Sequence, residues 1–476
     1  MKTPFSALPV ALLLCPAATG CGAGEEPASG PSYALPEAPA CAIAPVDPGA
    51  LRAEGTRLLD AQGRVVWLRG INAGGRSKFA PYSPFDYEPA KFDEALAKYL
   101  DRVQAWGMDV LRVPFSWEAA EPKEGEWDDE FLERYDRLLG EAFERGLWTI
   151  VDFHQDIYSE AFCGDGFPAW TLEDPPPSHH DCPDWFMAYF QNEEMKAAFD
   201  AFWSDATGVR TQFGELWDMM VDRHKGRAGV IGYEVINEPH PGTAERGAWE
   251  KDVLGPFYSE YVFFVVTGMQ AVSPGTDLTR PEGENIVFAP HFYDGAALMG
   301  FGSVSEDVLT PLSVWSEQGD EWDVPVLVGE FGIPGEHPQA AEHARRHYEA
   351  FEQLGLHGTW WEYSDSAERW NDEDMSVVAP DGTERTVLLG GMVRPYPRLL
   401  AGELRSLRYE PEARRLQIEY APDEGGVTEI AVPHWLYAGK VRLGAVGACV
   451  QLQADRLLVR AQAGASAVQL SIDPAP

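Results

Sequence analysis

Short apolar runs of strand length alternate with longer amphipathic stretches through most of the chain. The predicted strands are residues 68–72, 110–117, 147–154, 231–236, 263–266, 285–293, 324–332 and 358–363. Helical patterns lie between them, over residues 89–106, 128–145 and about 192–223. Strands that alternate with helices of this length are typical of a parallel sheet covered by helices. Eight such strands predict an α/β fold, a (β/α)8 TIM barrel over residues 48–402.

The pattern changes after residue 402, where helical periodicity gives way to short alternating runs. These runs are residues 415–420, 429–432, 456–460 and 468–472. They predict an antiparallel β-sandwich as a C-terminal domain over residues 403–476. Near the other end, residues 58–67 predict a β-hairpin whose turn lies at 60–63.

Residues 1–21 have the pattern of an export signal. Lys2 precedes an apolar run from Phe5 to Leu14, which is too short to span a bilayer as a helix. Ala17-Ala18-Thr19-Gly20-Cys21 resembles a bacterial lipoprotein cleavage box with Cys21 as the lipidated residue, and Leu13-Leu14-Cys15 is an alternative box. Residues 22–47 are rich in Gly, Ala, Pro and Ser and predict a flexible tether. We expect an exported protein, either secreted or anchored as a lipoprotein on the outer surface or in the periplasm.

The charge of the chain excludes one class of partner. It carries 37 basic and 76 acidic residues, a formal net charge of −39. This balance repels phosphate backbones, so nucleic acid is not an expected partner. The 16 tryptophans are compatible with a carbohydrate or lipid ligand, because indole faces stack on sugar rings, and equally with an ordinary core. The sequence does not determine an oligomeric state.

The cysteines predict a disulfide, which an exported protein permits. Cys163 and Cys182 flank the polar, proline-rich segment 155–184 and are the predicted pair. A bond between Cys41 and Cys449 would join the two ends of the chain. Metal-binding spacing such as Cys-x-x-Cys is absent from the sequence, so no metal site is predicted.

Two predicted strands end abruptly in a carboxylate. One strand runs into Asn237-Glu238-Pro239, and another contains Glu330 in Val328-Gly329-Glu330-Phe331. Burying an ionised carboxylate is costly, so each should lie at the mouth of the barrel, where barrels carry their chemistry. The 92 residues between them correspond to about three strand–helix units of roughly 30 residues. Two carboxylates about 5 Å apart suit glycoside hydrolysis by double displacement.

Over residues 52–400 the chain resembles the retaining glycoside hydrolases of family 5, clan A. Within that family the stretches 152–159, 164–168, 239–242 and 393–397 are similar to the endoglycoceramidases. The resemblance implies Glu238 as the acid/base and Glu330 as the nucleophile. It further implies a surrounding shell of Arg112, His154, Asn237, His291, Tyr293 and Trp361, and Asp156 is added as a candidate for binding sugar hydroxyls. The family's C-terminal β-sandwich corresponds to residues 403–476.

The expected function follows from this resemblance. It is hydrolysis, with retention, of the bond between oligosaccharide and ceramide in glycosphingolipids, without a metal or organic cofactor. Membrane contact would come from the anchor and from the lipid of the substrate. The alternatives are a glucosylceramidase or β-glucosidase, an endo-β-glucanase or mannanase, and a non-catalytic glycolipid-binding lipoprotein. Candidates for lining the lipid side of the cleft are Phe162, Phe167, Trp170, Trp185, Phe186, Phe292 and Trp315.

Overall fold

The computed structural model describes residues 34–261, 264–265, 275–298 and 303–475. The predicted leader, Cys21 and the tether up to residue 33 lie outside the described residues. The described strands are β1 (Arg52–Glu54), β2 (Arg57–Leu59), β3 (Val65–Val66), β4 (Arg69–Asn72), β5 (Val110–Phe115), β6 (Trp148–Phe153), β7 (Val230–Glu234), β8 (Phe264–Val265), β9 (Val287–Phe288), β10 (Leu327–Phe331), β11 (His357–Trp360), β12 (Tyr396–Leu400), β13 (Gly402–Glu410), β14 (Arg415–Pro422), β15 (Val427–Ala431), β16 (Val441–Val446), β17 (Ala448–Gln453), β18 (Arg456–Ala461) and β19 (Val468–Pro474).

The described α-helices are α1 (Phe92–Ala105), α2 (Trp117–Ala120), α3 (Asp129–Glu144), α4 (Ala188–Gln191), α5 (Glu193–Ser204), α6 (Val209–His224), α7 (Arg246–Trp249), α8 (Gly255–Tyr261), α9 (Gly295–Leu298), α10 (Leu309–Trp322), α11 (Ala340–Leu354), α12 (Thr386–Met392) and α13 (His434–Tyr437). Shorter helical turns occur at Gly75–Lys78, Pro89–Lys91, Glu160–Phe162, Ala169–Thr171, Trp185–Met187, Glu250–Leu254 and Trp370–Asp372. Within the described ranges, no helix has both the length and the apolar character needed to cross a bilayer.

The strands from β4 to β11 form a closed parallel barrel. Among the described residues their order is β10-β11-β4-β5-β6-β7-β8-β9, and every neighbouring pair is parallel. Parallel bridges from Phe288 to Val326 and from His291 to Glu330 join β9, at one end of this order, to β10 at the other and close the barrel. The predicted (β/α)8 barrel is therefore confirmed.

The helix α3 illustrates why the sequence forms this outer layer. The side chain of Asp128 accepts the N–H of Phe131 at 2.9 Å and caps the first turn. The buried stripe that packs on the barrel consists of Phe131, Leu132, Tyr135, Leu138, Leu139 and Ala142. Gly146, whose φ of +72° suits glycine, turns the chain into β6.

The hairpin of β2 and β3 closes the amino-terminal end of the barrel. Leu58 and Val66 belong to one apolar cluster with Val110, Ile150 and Leu327 from the barrel strands. Because this end is filled with apolar side chains, the opposite end remains as the mouth. The loops after β4, β6, β7, β9, β10 and β11 emerge there.

The C-terminal domain contains two antiparallel sheets, as predicted, but its boundary differs from the prediction. Among the described strands one sheet has the order β1-β2-β3-β12-β15-β18-β17, and the other has the order β13-β14-β19-β16. The sheet system thus begins at Tyr396 rather than at residue 403, and it recruits the N-terminal hairpins. Pairing between β3 and β12 joins segments far apart in sequence, which periodicity alone does not reveal.

A buried ionic cluster joins this domain to the amino-terminal end of the barrel. Arg398 and Arg456 each donate to the carbonyl of Gly146 at 3.0 Å. Both also donate to one oxygen of Glu429, at 2.8 and 2.9 Å. The guanidinium of Arg398 lies 4.0 Å from the ring centroid of Trp148. The C-terminal domain therefore lies at the end opposite the mouth.

The prediction of a flexible tether is wrong for residues 35–43, which pair with the C-terminal domain. Ala40 forms a bridge with Val450 of β17, and Cys41 forms a disulfide with Cys449 of the same strand. Ile43 is 2% exposed and packs with apolar residues of the C-terminal domain. The proline-rich composition predicted flexibility, but pairing with a sheet edge and a covalent bond hold this segment in place.

Candidate active site

Glu238 and Glu330 come together at the mouth of the barrel. Glu330 lies within β10, and Glu238 follows the last residue of β7 by four positions. An oxygen of one lies within 4.8 Å of an oxygen of the other. Carboxylates about 5–5.5 Å apart are typical of retaining glycosidases, whereas inverting enzymes keep them about 6.5–9.5 Å apart. The geometry therefore favours double displacement.

The backbone of Glu238 is held in an unusual conformation. Its φ is +34°, which residues other than glycine rarely adopt. The side-chain amide of Gln155 donates to the carbonyls of Asn237 and Glu238, at 2.7 and 2.9 Å. The N–H of Asn237 donates to the carbonyl of Phe153 at 2.9 Å. These bonds tie the turn after β7 to β6 and its loop and aim the carboxyl group of Glu238 into the mouth.

Arg112 is the centre of the polar network below the two glutamates. Its guanidinium, fully buried, donates to Glu330 (2.7 Å), Glu234 (2.8 Å), Asn72 (2.9 Å) and Asn237 (2.9 Å) and forms an ion pair with Asp152 (3.0 Å). A guanidinium presents its N–H groups in a rigid plane, so these contacts fix the direction of each acceptor. Arg112 thereby holds both the candidate nucleophile and Asn237.

Glu234 is a site residue that the sequence analysis missed. It is the last residue of β7, fully buried, and both of its oxygens accept from Arg112. A signal for it existed, because a carboxylate inside an apolar strand needs a cationic partner. Arg112, on β5, needs an anionic partner. The sequence pattern alone does not show that Glu234 is that partner.

The surroundings shift the pKa values of the two glutamates in opposite directions. Burial alone raises the pKa of Glu330, but the positive charges of His291 and Arg112 outweigh it, so this pKa is lowered. Burial raises the pKa of Glu238, and the negative charge of Glu330 raises it further. The hydrogen bond to His291 lowers it, but the net result is a raised pKa. Glu330 is therefore suited to stay ionised and Glu238 to carry a proton.

His291 and Tyr293 act on these carboxyl groups directly. His291 Nδ1 and Glu238 Oε1 are joined by a hydrogen bond of 2.8 Å, and Glu330 Oε2 lies 3.5 Å from the same nitrogen. The Tyr293 hydroxyl donates to Glu330 Oε2 at 2.8 Å. Glu330 thus receives one bond from Arg112 and one from Tyr293, which orients the oxygen that would attack.

A second polar group lies beside Trp361. His154 stacks on the indole of Trp361 with ring centroids 5.1 Å apart and is bonded to Asp152 at 2.9 Å. Asp156 accepts from the ammonium of Lys78 at 2.6 Å. Burial alone would raise the pKa of Asp156, but the charges of Lys78 and His154 lower it, so that this carboxylate stays ionised.

Three tryptophans, which we call the tryptophan wall, surround the ammonium of Lys78. The Nζ atom lies 4.1 Å from the ring centroid of Trp370, 4.5 Å from that of Trp361 and 5.5 Å from that of Trp185. Trp185 meets Trp370 edge to face, with centroids 4.6 Å apart. Trp361 and Trp370 are 2% and 1% exposed, and Trp185 is the partly exposed member of the wall. Neither Lys78 nor Trp370 was predicted from the sequence.

The structure places the predicted shell around the two glutamates. Most of the predicted lipid-side aromatics lie instead in the hydrophobic core or against it. The residues it brings together are Arg112, His154, Asp156, Asn237, His291, Tyr293 and Trp361. Phe167 and Trp315 are fully buried in the hydrophobic core, so their prediction as lining residues is wrong. Phe162 and Phe292 are also buried in this core, and Trp170, which donates to the carbonyl of Glu121 and packs on Trp117, is partly buried against it. Aromatic side chains of barrel proteins are mostly core, and sequence alone does not separate the exceptions.

Two groups of side chains within the described ranges have donor atoms close enough to hold a metal ion. One is Cys163, His179 and Cys182, and the other is Glu238, His291 and Glu330. The two cysteines are joined in a disulfide, so their thiolates are not free ligands. In the second group, the guanidinium of Arg112 already neutralises Glu330. The expectation that no cofactor is needed stays a prediction.

Comparisons with known proteins agree with this geometry. The family model described as cellulase, glycosyl hydrolase family 5, matches residues 59–367, and the glycoside hydrolase family 5 C-terminal domain matches residues 394–473. Endoglycoceramidase I of Rhodococcus hoagii (strain 103S) is 32% identical over 193 residues, 40% of this chain. Endoglycoceramidase of Cyanea nozakii is 30% identical over 217 residues. The matched segments span 37% and 42% of these two relatives, about two fifths of their length.

Solved structures of similar fold cover much more of the chain. Endo-glycoceramidase II from Rhodococcus sp. matches with a TM-score of 0.69 and 26% identity, over 90% of this chain and 100% of that one. A structure of the same protein as a ganglioside GM3 complex gives a TM-score of 0.70 at 25% identity. Because the barrel model alone covers well over half of the sequence, the chain belongs to glycosyl hydrolase family 5.

Proposed function

We propose that this protein is a retaining β-glycoside hydrolase that cleaves the bond between oligosaccharide and ceramide in glycosphingolipids. The observation that carries the proposal is the pair Glu238 and Glu330, within 4.8 Å and with opposite pKa shifts. Relatives named endoglycoceramidase, one of them solved with a ganglioside, support the choice of substrate.

In the first step Glu330 attacks the anomeric carbon and forms a glycosyl–enzyme ester. Glu238 gives its proton to the departing oxygen, so the bond between sugar and ceramide breaks and ceramide leaves as an alcohol. In the second step the ionised Glu238 takes a proton from water, whose oxygen attacks the same carbon. The ester breaks, Glu330 is regenerated, and two inversions leave the sugar with its original configuration.

Neighbouring groups assist the charge that develops on the sugar. Asn237 donates one amide hydrogen to the carbonyl of Gln155 at 3.0 Å, and its nitrogen lies 3.5 Å from His154 Nε2, a long contact that a sugar 2-hydroxyl would replace. Hydrogen bonds to this hydroxyl strengthen as the oxocarbenium ion develops. Arg112 fixes the oxygen of the Asn237 side chain at 2.9 Å and so sets the direction of its amide nitrogen.

The tryptophan wall favours an endo-acting enzyme over a glucosylceramidase or β-glucosidase. Trp361, which is 2% exposed and stacks on His154, is the proposed floor for the sugar that Glu330 attacks, with His154 and Asp156 beside it for hydroxyl groups. Beyond Lys78 and the buried Trp370 lies Trp185, whose partly exposed side chain offers a surface for a further sugar unit. An enzyme limited to one sugar has no use for such an extension.

We also propose that the chain is exported and anchored through a lipid on Cys21. The apolar run from Phe5 to Leu14 and the box at Ala17–Cys21 support this. Two disulfides among the described residues are typical of exported proteins. An anchor would keep the mouth close to substrate that is itself embedded in a membrane.

The first prediction concerns the nucleophile. Replacing Glu330 by Gln (Glu330→Gln) removes the attacking oxygen, so hydrolysis of an activated aryl β-glycoside should fall at least roughly 1,000-fold, about 4 kcal/mol of lost transition-state stabilisation. The matched control is Glu336→Gln, on the loop after the same strand with a side chain 78% exposed, which should keep full activity. Persistent hydrolysis in Glu330→Gln would remove Glu330 from its role.

The second prediction is a bell-shaped dependence of kcat/KM on pH. Activity should rise as pH passes the lowered pKa of Glu330, which must be ionised, and fall as pH passes the raised pKa of Glu238, which must be protonated. In Glu238→Gln the alkaline limb of the pH profile should disappear. The rate with a glycolipid should fall roughly 100- to 10,000-fold. Azide, which needs no base, should restore turnover of an activated aryl glycoside and yield a β-glycosyl azide. An unchanged alkaline limb would exclude Glu238 as the acid.

The third prediction identifies the substrate. Incubation with a ganglioside, lactosylceramide and glucosylceramide in detergent should release the intact glycan and ceramide, identified by mass. Stepwise loss of single sugars would instead indicate an exo-acting enzyme. Cleavage of soluble β-glucans without any glycolipid cleavage would indicate an endo-β-glucanase, and binding without cleavage would indicate a glycolipid-binding lipoprotein.

The fourth prediction tests the anchor. The full chain, expressed in a bacterium, should fractionate with membranes and partition into detergent, whereas Cys21→Ala should be released in soluble form. Cys15→Ala is the matched control, since it alters the alternative box, and it should remain anchored. The opposite pattern for the two variants would assign the lipid to Cys15, and soluble wild-type protein would exclude the anchor.

A further inference from the structure

Two loops that reach the mouth from different strands are joined at one point. The loop after β6 contains the disulfide Cys163–Cys182, and the segment after β11 contains Asn371. The side chain of Asn371 donates to the carbonyl of Cys163 at 2.6 Å and accepts the N–H of Cys182 at 2.9 Å. One amide group thus binds both ends of the disulfide. We call Cys163, Cys182 and Asn371 the disulfide junction.

The identity of Asn371 matches the demands of this position. The residue is 2% exposed and has a φ of +48°, a conformation in which asparagine is several-fold enriched. Its side chain supplies one donor and one acceptor, as the two half-cystines require. Its own N–H donates to the carbonyl of His180 at 3.0 Å. Aspartate has a similar shape but supplies acceptors only.

The junction is connected to the tryptophan wall along both loops. The N–H of Trp185 donates to the carbonyl of Cys182 at 3.0 Å. Trp370 precedes Asn371 directly and packs against Trp185. Trp361 has contacts of its own, since Glu373 accepts its indole N–H at 2.8 Å and His154 stacks on its ring.

A third connection reaches Lys78. The ring of His180, inside the disulfide loop, stacks on Phe79 with centroids 4.5 Å apart. Phe79 directly follows Lys78, whose ammonium lies among the three indoles. The disulfide loop therefore contacts the residue next to Lys78 as well as the tryptophans of the wall.

We propose that the disulfide junction positions Trp185, the partly exposed tryptophan of the wall, and thereby sets the affinity for the sugar unit next to the one that Glu330 attacks. Asn371 is a positioning residue in this scheme, because it touches the wall's supports rather than the substrate. The inference rests on the proposed glycosidase function. The disulfide in one loop and the side-chain amide of Asn371 in the other together determine how tightly a substrate with more than one sugar binds.

The test compares two substrates with the same leaving group, an aryl β-glucoside with one ring and an aryl β-cellobioside with two. Asn371→Asp removes the donor to Cys163, and the double variant Cys163→Ser/Cys182→Ser removes the covalent bond. Each should raise KM for the two-ring substrate roughly tenfold, equivalent to about 1.4 kcal/mol. The KM for the one-ring substrate and kcat for both should change less than about twofold, because Trp361 and the groups around Glu330 keep their own contacts.

Two matched controls separate this effect from general damage. Asp372→Asn alters the exposed neighbour of Asn371, which shares its left-handed backbone with a φ of +60°. Cys41→Ser/Cys449→Ser removes the other disulfide, which lies in the C-terminal domain. Both should leave the KM for the two-ring substrate unchanged. Thermal unfolding of each variant shows whether it folds, and if Asn371→Asp does not, the cysteine double variant decides alone.

Combining Asn371→Asp with the cysteine double variant tests whether the three residues act as one unit. If they do, the combined rise in KM should be no greater than the larger individual rise. Multiplied effects, an unchanged KM for the two-ring substrate, or equal losses with both substrates would each overturn the proposal. If the wild-type protein hydrolyses neither substrate, the proposed function fails instead, and that outcome is distinct from all of these.

Discussion

The buried guanidinium of Arg112 is the interaction on which the mouth of the barrel depends. It lies among Glu330, Glu234 and Asp152, and none of these carboxylates would be tolerated at that depth without a cation. Because the guanidinium is planar and always charged, it neutralises the acids and also fixes their directions. The strand ends that carry these residues are thereby tied to one another from inside. The position of the candidate nucleophile is a consequence of this packing.

The same charges explain why two glutamates so close together behave differently. Glu330 receives hydrogen bonds from Arg112 and Tyr293, both of which favour its ionised form. Glu238 lies farther from that cation, has His291 as its bonded partner and faces the negative charge of Glu330. Repulsion between the two carboxylates is therefore relieved by protonating Glu238. A single asymmetric arrangement of cations produces an acid and a nucleophile from identical side chains.

The sequence predicted what is local and missed what is formed by distant partners. An apolar strand that ends in a carboxylate is visible in a short stretch, and this located both Glu238 and Glu330. The roles of Glu234, Lys78 and Glu373 depend on partners contributed by other strands, which no periodicity reports. The boundary of the C-terminal domain failed for the same reason, because β3 pairs with β12 across more than three hundred residues. The segment 35–43 was misjudged because composition describes an isolated chain, not one with a sheet edge available to it.

Each part of the mouth is held as rigidly as its role requires. Glu330 lies within a barrel strand, and Arg112 and Asn237 are held by bonds between strands, because bond formation tolerates only small displacements. Trp185, which is partly exposed, and the buried Trp370 on which it packs lie on loops, which the barrel does not hold in place. A loop can present a flat binding surface only if something limits its movement, and here a disulfide and a buried amide take that part. Variation in these loops would change which glycans are bound while leaving the two carboxylates where they are. Recognition of the substrate can thus be altered without disturbing the chemistry.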